Sequence, residues 1–438
     1  MSNSISHKTR YTVTSLCFIL LFFFTLFLFS KRTLEPSLSF YRPSFWPTKS
    51  QIHHSNATAN HDKLNPPADN EAVDDVGEKK REMCDLYTGT WVKDDDYPIY
   101  KPGSCPYVDE AFDCQSNGRP DSDYLRWRWK PHGCDLPRFN ATDFLDRLRG
   151  KRLMLVGDSM NRNQFESLLC LLREGLTNKS TMYEEYNCTV VYVLSHFLVK
   201  EGVRINEQGN SNPTLSIDKI DKTSDRWKRA DILVFNTAHW WVHGKTARGY
   251  NTDLTTAILV LLLCYIGLLL ISDIQSPWIN YFKEGDYLYP KFDAVEAYRR
   301  ALKTWAKWID ENFKLEKKLV FYRGYSSAHF SGGDWNSGGS CTGETEPISS
   351  GSVLDTYPLK MKIVEEVIGE MKVPVILLNV TRLTNSRKDG HPSMYGKKLT
   401  EGDTKSTRRE DCSHWCLPGV PDAWNELIYA TLVFKKLF

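Results

Sequence analysis

The chain has 438 residues, a formal net charge of +2 and a charged fraction of 25%. This length suffices for one large domain or two ordinary ones, and the balanced charge, without a basic stripe, predicts no nucleic-acid partner. Aromatic residues make up 13% of the chain, which suits both stacking on sugars and the packing of a core.

An uncharged run at residues 11–30 is rich in Phe and Leu and ends at Lys31 and Arg32. About 20 apolar residues match the bilayer core, whereas the apolar part of a signal peptide usually has about 7–15. We therefore expect a transmembrane anchor rather than a cleaved signal peptide, with residues 1–10 as a cytosolic tail. Residues 31–83 are polar and rich in Ser, Asn and Pro, which predicts a flexible stem.

The cysteines indicate an oxidising compartment. The chain has 11, and those from Cys84 to Cys416 are scattered, apart from Cys264 in an apolar run. This scatter does not match the tight Cys/His pairs of zinc sites, so disulfides are expected and no metal site is. An odd number outside the apolar runs leaves one thiol free, which we assign to Cys188. Glycosylation sequons begin at Asn56, Asn140, Asn178, Asn187 and Asn379 and agree with a lumenal location.

From Cys84 to Cys134 the chain is rich in Gly, Pro, Trp and Cys, which predicts an irregular, disulfide-pinned segment. The pattern then changes to short apolar strands that alternate with amphipathic helices. Strands are predicted at 152–156, 232–235, 319–322 and 375–378, and helices around 165–172, 295–309 and 421–428. This order implies an α/β fold with a mostly parallel sheet covered on both faces.

A second apolar run at residues 254–272 is uncharged and about long enough to span a bilayer. A second span would place Ser159 and the Cys412–Cys416 region on opposite sides of the membrane. The later cysteines would then face a reducing cytosol. We therefore expect that this run does not span the membrane.

Ser159 follows the first strand and precedes a helix, in the sequence Gly157-Asp158-Ser159. At such a turn a hydroxyl projects from the carboxyl edge of the sheet, and the N–H groups of the helix N-terminus favour a developing oxyanion. Gly157 would permit the tight turn. The alternative is that Asp158 and Ser159 only cap the helix, because the Gly-x-Ser-x-Gly elbow is absent.

A serine nucleophile needs a base that a carboxylate orients. Asp411 and His414 lie three residues apart, and the flanking Cys412 and Cys416 could fix their loop. A structural histidine is the alternative interpretation of His414. His391 is a second candidate base, but a following proline and polar neighbours predict an ordinary surface turn.

Several further residues could belong either to a binding site or to ordinary structure. Asn236 ends the second strand and could donate to an oxyanion or form an Asx-turn. Trp240 and Trp241 could line a sugar groove or belong to the core. The Gly-rich loop at residues 332–339, near Arg323, could be an acceptor-binding lid or a solvated loop.

Several motifs together closely resemble the plant trichome birefringence-like family. In chain order they are Cys84–Trp91, Tyr107–Cys114, Trp127–Pro131, Gly157–Gln164, Asn236–Trp241 and Asp411–Gly419. The resemblance covers the chain from about Cys84 onward. It implies a family-specific N-terminal segment, residues 84–140, and a PC-esterase-like catalytic domain, residues 141–438, with the three-layer sandwich of SGNH hydrolases.

The resemblance also implies an activity and a location. These are polysaccharide O-acetylation in the Golgi by a single-pass type II membrane enzyme, with Ser159, His414 and Asp411 as the triad. The acceptor would be a cell-wall pectin, xylan or mannan, and the co-substrate acetyl-CoA or another acetyl carrier, with no tightly bound cofactor. Candidate oxyanion or substrate residues are Gly157, Arg162, Asn163, Asn236, Trp240, Trp241 and Arg323. Implied disulfides are Cys84–Cys134, Cys105–Cys170, Cys114–Cys416 and Cys341–Cys412.

Two other functions fit the same residues. One is a lumenal esterase, in which water replaces the sugar, and the other is a non-catalytic glycan-binding protein. The chain departs from the family by an aliphatic insertion at residues 252–279 and by a shortened stretch after Glu184. A retained intron and a lost exon portion would explain both, and sequencing of the transcript tests this hypothesis.

Overall fold

The computed structural model of the chain describes residues 84–179, 186–241, 281–313, 318–334, 338–398 and 409–435. The described residues all fall within one compact unit, Lys80–Phe438. The predicted anchor, the stem and the insertion at residues 252–279 lie outside the described residues. Within those ranges, no helix combines the length and the apolar character needed to cross a membrane.

The described residues form the following strands and helices, in chain order. The strands are β1 Gly89–Lys93, β2 Trp127–Pro131, β3 Arg152–Gly157, β4 Thr189–Leu194, β5 Val199–Ile205, β6 Ser211–Ile220, β7 Ile232–Phe235, β8 Phe282–Glu284, β9 Tyr287–Leu288, β10 Leu319–Arg323 and β11 Val375–Leu378. The α-helices are α1 Ala141–Arg147, α2 Ser159–Arg173, α3 Ser224–Trp227, α4 Ala294–Asn312, α5 Leu359–Gly369, α6 Thr381–Asn385 and α7 Val420–Phe434. Short 3-10 helices are Glu110–Phe112, Asp123–Arg126, Ser352–Asp355 and Lys388–Gly390.

The central sheet has the strand order β11-β10-β7-β3-β4, and every neighbouring pair is parallel. All four predicted strands belong to it, which confirms the predicted α/β class. The register places Val156 of β3 opposite Phe235 of β7. The next residues of both strands therefore meet at one edge of the sheet, which brings Ser159 and Asn236 into the same region.

Helices cover both faces of this sheet, because successive strand residues point to opposite sides. Leu153 and Leu155 of β3 pack into the cluster that contains α1, α2 and α7, whereas Met154 and Val156 pack into the cluster that contains α4 and α5. The predicted helix near residues 295–309 is α4, whose N-cap Asp293 accepts hydrogen bonds from two backbone N–H groups of the first turn. The result is the expected three-layer arrangement.

Two smaller sheets were not predicted. One has the order β5-β6-β8-β9, and the other is the antiparallel pair β1-β2 in the otherwise irregular N-terminal segment. The four disulfides of the described residues are those that the family resemblance implied: Cys84–Cys134, Cys105–Cys170, Cys114–Cys416 and Cys341–Cys412. Cys188 stays a free thiol, as predicted.

Candidate active site

Ser159, His414 and Asp411 form one hydrogen-bonded chain. His414 Nε2 lies 2.7 Å from Ser159 Oγ, and His414 Nδ1 lies 2.6 Å from Asp411 Oδ2. A carboxylate only accepts, so Nδ1 carries the proton of the neutral ring and Nε2 presents its lone pair to the serine hydroxyl. This is the arrangement in which an imidazole can take the proton of a serine nucleophile.

Asp411 is held as a carboxylate. The backbone N–H groups of Ser413 and His414 each donate to its Oδ1 over 3.0 Å. Burial alone would raise the pKa of this carboxyl, but the charge of His414 and these hydrogen bonds outweigh burial and hold the pKa far below its ordinary range. Asp411 therefore stays ionised and fixes both the tautomer and the orientation of the imidazole.

The nucleophile turn, residues 157–163, is built from buried polar groups. Asp158 caps α2, because its Oδ1 accepts from Met160 N over 2.9 Å. Asn236 bonds Asp158 twice, through Nδ2 to the carboxylate at 2.9 Å and through Oδ1 from the backbone N–H at 3.2 Å. The capping interpretation thus holds for Asp158, while the Ser159 side chain faces the histidine.

Gly157 is required by close packing rather than by an unusual backbone angle. A Cβ at this position would lie 1.9 Å from Asn236 Oδ1 and 2.7 Å from the Asn236 carbonyl oxygen. Asn236 is 1% exposed, and its amide holds Asp158 in place through the two hydrogen bonds described above. Donation to an oxyanion from the other N–H of this amide stays a prediction.

The carboxylate of Asp158 is fully buried and needs positive neighbours. Burial alone would raise its pKa, but His239, Arg323 and the bond from Asn236 lower it below the ordinary value. Arg323 lies 1% exposed, with its guanidinium over the Trp424 ring at 5.0 Å. The prediction that Arg323 reaches a substrate is wrong, because this side chain lies beneath the site and balances a buried charge.

Asn163 joins the nucleophile turn to the base loop, which comprises residues 409–419. Its side chain accepts from Trp415 N over 2.9 Å and donates to Trp415 O over 3.1 Å. Asn163 is fully buried, so the prediction that it touches a substrate is wrong. It instead fixes the residue that follows His414.

Arg162 lies at the rim of the site. It is half-exposed, forms ion pairs with Glu166 at 2.9 Å and with Asp109, and lies over the Phe112 ring at 5.4 Å. Phe112 in turn contacts the His414 ring, with 5.5 Å between centroids. The substrate role of Arg162 stays a prediction.

The two adjacent tryptophans have different environments. Trp241 is 2% exposed and donates its Nε1–H to Thr237, so the groove interpretation is wrong for Trp241 and the core interpretation is correct. Trp240 is partly buried and packs on His196, with 4.0 Å between ring centroids. The predicted lid at residues 332–339 falls partly on residues 335–337, which lie outside the described residues.

The base loop is held by side chains from elsewhere in the chain. Disulfides anchor it at Cys412 and Cys416. Arg119 of the N-terminal segment donates to His391 O over 2.9 Å and to Asp389 O over 2.6 Å, directly behind the loop. The role of Arg119 could not be predicted from the sequence, because bonds to distant carbonyl groups leave no local pattern.

His391 is not in a surface turn, and that prediction is wrong. Its side chain is buried at 2% exposure and stacks on Trp415 with 4.0 Å between ring centroids. Nδ1 lies 2.6 Å from the His414 carbonyl oxygen, and Nε2 lies 2.7 Å from His329 Nδ1. Both ring nitrogens are thus engaged, so His391 supports the base loop and does not compete with His414 as a base.

A cleft of about 460 Å³ lies between the N-terminal hairpin, the segment that precedes α5, and α6. Its lining includes Trp91, Trp127, Asp355 and Arg382 and no member of the triad. The face of Trp91 already carries Arg387 at 4.4 Å, and that of Trp127 carries Lys93 at 5.5 Å. The cleft therefore does not mark the catalytic site.

Two family profiles match the chain. Residues 136–256 and 271–431 match the PC-Esterase family, described as a GDSL/SGNH-like acyl-esterase family found in Pmr5 and Cas1p. Residues 82–135 match the PMR5 N-terminal domain. The interruption between residues 256 and 271 falls within the predicted insertion.

Curated relatives from Arabidopsis thaliana agree. The chain is 44% identical to Protein trichome birefringence over 399 residues, which cover 84% of this chain and 61% of the relative. It is 46% identical to Protein trichome birefringence-like 1 over 372 residues, 80% of this chain and 62% of that one. It is 40% identical to Protein trichome birefringence-like 4 over 427 residues, which cover 92% of this chain and 86% of that relative. The chain thus spans about three fifths of the first two relatives.

Proposed function

The chain belongs to the trichome birefringence-like proteins of the PC-esterase family, and from this premise we propose that it transfers an acetyl group to a cell-wall polysaccharide through a serine triad. The observation that carries the proposal is the continuous chain Asp411–His414–Ser159, with contacts of 2.6 and 2.7 Å. A serine hydroxyl has little nucleophilicity unless a base takes its proton, and this geometry supplies the base.

In the first half-reaction His414 Nε2 takes the proton of Ser159 while Oγ attacks the carbonyl carbon of the acetyl donor. The bond between the acetyl carbon and its carrier then breaks, and His414 returns the proton to the carrier. The product is acetyl-Ser159. Acetyl-CoA or another acetyl carrier fits this step equally, since only an activated acetyl group is required.

In the second half-reaction a sugar hydroxyl gives its proton to His414 and attacks the acetyl-serine. The serine oxygen leaves and takes the proton back, which restores the triad. Asp411 stabilises the imidazolium that forms in each half-reaction. We assign the oxyanion to the N-terminus of α2, in particular to Ser159 N–H, because Met160 N–H is already donated to Asp158.

Hydrolysis is the second candidate, and the family description as acyl-esterases favours it. Water would replace the sugar in the second half-reaction with no change in the triad. Dependence of product formation on an added glycan separates transfer from hydrolysis, because an esterase releases acetate at the same rate without it.

We further propose that residues 11–30 anchor the protein in the Golgi membrane with the triad in the lumen. Support comes from the four disulfides of the described residues, because such bonds persist in oxidising compartments and are rare in the cytosol. Protease protection of the domain in intact microsomes tests this placement, and cleavage without detergent would contradict it.

The test of the reaction uses the full-length chain, an acetyl donor, and pectin, xylan and mannan oligosaccharides with mass detection. We expect one class of acceptor to gain about 42 Da for each acetyl group, because the acetyl group replaces one hydrogen atom of a hydroxyl. We expect Ser159→Ala to lower the rate by at least about 10³-fold. Ser122→Ala is the matched control, because Ser122 is exposed and its side chain makes no capping bond. Full activity of Ser159→Ala would refute the mechanism, and glycan binding without turnover in the folded wild-type chain would favour a binding protein.

A further inference from the structure

A buried histidine, His391, and a partly buried one, His329, lie behind the base loop, and the reaction scheme leaves them unused. Three contacts connect them to their surroundings. His391 Nδ1 lies 2.6 Å from the His414 carbonyl oxygen, His391 Nε2 lies 2.7 Å from His329 Nδ1, and His329 Nε2 lies 2.9 Å from the Asn385 carbonyl oxygen. The pair thus bridges the backbone of the catalytic histidine and the end of α6.

The number of N–H groups on the two rings decides how many of these three contacts can be hydrogen bonds. A carbonyl oxygen only accepts, so both outer contacts need an N–H on the imidazole, and the contact between the rings needs one more. Two neutral imidazoles carry two N–H groups. All three contacts are therefore hydrogen bonds only when the pair holds one extra proton, and in the neutral pair one of the three contacts must bring two lone pairs together.

The distances indicate which of the three contacts lacks a proton in the neutral pair. The contact to His414 O is 2.6 Å, the contact between the rings is 2.7 Å and the contact to Asn385 O is 2.9 Å. We therefore assign the two shorter contacts to retained hydrogen bonds and the longest contact to the one without a proton. His391 Nδ1 then carries the proton, its Nε2 accepts from His329 Nδ1–H, and His329 Nε2 is the position that gains or loses the extra proton.

We propose that His391 is a positioning residue for His414, that its Nδ1–H holds the His414 carbonyl, and that His329 keeps His391 in this tautomer. The inference rests on the proposed function, because it assigns the pair a role in aligning the catalytic base. Ser159 contacts Nε2 of the His414 ring, Asp411 contacts its Nδ1, and His391 contacts the backbone carbonyl of the same residue. The His414 ring therefore has little freedom to turn. This matters because small misplacements of a base lower the reaction rate.

The surroundings fit this assignment. Burial, followed by the charge of His329, lowers the pKa of His391 well below its ordinary value, so His391 stays neutral. Burial also lowers the pKa of His329, although its bond to Asn385 opposes this effect. The extra proton on His329 is therefore bound in acid and lost as the pH rises. The ionisable groups that face the pair are Asp389, Glu344 and Lys388 around His329, and Asp411 and His414 around His391, with Arg119 on the His391 carbonyl.

Substitutions at residue 391 separate the two ring nitrogens. The amide of Asn reaches the place of Nδ1, whereas the amide of Gln reaches the place of Nε2. We expect His391→Asn to keep kcat within about fivefold, and His391→Gln and His391→Phe to lower kcat by about 10–100-fold with KM for the acceptor nearly unchanged, as for a misaligned base. His132→Phe is the matched control, because His132 is exposed on the N-terminal hairpin.

A loss of packing alone would give a different pattern. In that case the ring-preserving Phe variant would be the mildest and Asn the most severe, so this order would overturn the proposal. Equal kcat in the Asn and Phe variants would overturn it as well. His329→Phe should lower kcat less than His391→Phe, because His391 can still carry its proton on Nδ1 without a partner on Nε2.

The tautomers of the two histidines can be measured by ¹⁵N NMR, independently of activity. In full-length protein labelled with ¹⁵N-histidine, we expect His391 to show a protonated Nδ1 and an unprotonated Nε2 across the pH range, and His329 to change from imidazolium to neutral as the pH rises. A protonated Nε2 on His391 would overturn the proposal even if the variants fail to fold. If instead the tautomers are as expected but Ser159→Ala is fully active, the proposed function fails and the structural role of the pair stands.

Discussion

The nucleophile turn and the base loop each supply part of one triad, but they are held by different kinds of bonds. The nucleophile turn continues a buried strand into a 15-residue helix, and Asn236 and Asp158 lock it from within the central sheet. The base loop contains no helix or regular strand and depends on Cys114, Cys341 and Arg119 from distant parts of the chain. Regular structure positions the nucleophile, whereas cross-links position the base.

This difference predicts which changes damage which half of the site. A substitution in the nucleophile turn should disturb the sheet edge and stability together. A substitution among the cross-links should release the base loop while the sheet stays folded.

The largest effect should follow removal of the Cys114–Cys416 disulfide in the Cys114→Ser/Cys416→Ser double variant. Because this bond ties the base loop to the N-terminal segment, we expect the free energy of unfolding to fall by about 2–5 kcal/mol and kcat to fall by at least about 10²-fold in the folded fraction. Urea titration and acetyl transfer measure the two quantities.

The control is the Cys84→Ser/Cys134→Ser double variant, which removes a disulfide that does not touch the base loop. It should lose stability but keep kcat in the folded fraction. If both pairs lower kcat equally, the claim that cross-links position the base is wrong.

The Gly157→Ala substitution changes the nucleophile turn. The added methyl group would meet Asn236 Oδ1 at 1.9 Å and its backbone oxygen at 2.7 Å, so the ends of β3 and β7 must separate. We expect a loss of about 1–3 kcal/mol of stability and of most activity. Gly369→Ala is the matched control, because nothing lies within 4 Å of its added methyl group; thermal unfolding of both variants provides the comparison, and equal stability would contradict the close-packing argument.

Asn163→Ala removes the joint between the two halves. Trp415 N and O lose their partners, and an unsatisfied buried group costs about 1–3 kcal/mol. We expect kcat to fall by about tenfold with little change in KM, since the base shifts while the substrate surface remains. Asn210→Ala, at an exposed position, should leave kcat unchanged, and a kcat for Asn163→Ala equal to that control would show that the joint is dispensable.

The smallest effect on the reaction is expected for Glu426→Gln. Burial raises the pKa of Glu426 to about 7, although the Tyr97 hydroxyl donates to it. In the unfolded chain the pKa of a glutamate is about 4.3, so the folded state holds the proton more tightly. The stability from this group is therefore fully present below about pH 4 and is lost as the pH rises through about 7.

Glu426→Gln should remove this loss, so wild type should lose stability relative to the variant between about pH 4 and about pH 7, with kcat unchanged. Urea titrations at several pH values measure the difference. Parallel stability curves for the two proteins across that range would contradict the raised pKa.

The sequence predicted the nucleophile turn well, because an apolar strand, a glycine and a helical period are local patterns. It also placed Asp411 beside His414, since three residues of spacing bring both onto one loop. It did not predict the joint at Asn163, the buried Arg323 or the histidine pair. Each of these acts on a group that lies far away along the chain, and the distance from Asn163 to Trp415 is 252 residues. Such bonds have no period, and only folding brings their partners together.

The Cys114–Cys416 disulfide closes a covalent ring, because the two cysteines are 302 residues apart in sequence. The ring encloses the whole central sheet and the serine of the triad. A single cut by a protease in any exposed connection inside it leaves both fragments joined through sulfur. A nicked molecule would therefore migrate as one species on a non-reducing gel and as two after reduction. The ring also cannot close until synthesis has passed Cys416, so the base loop and the N-terminal segment become joined only after that point.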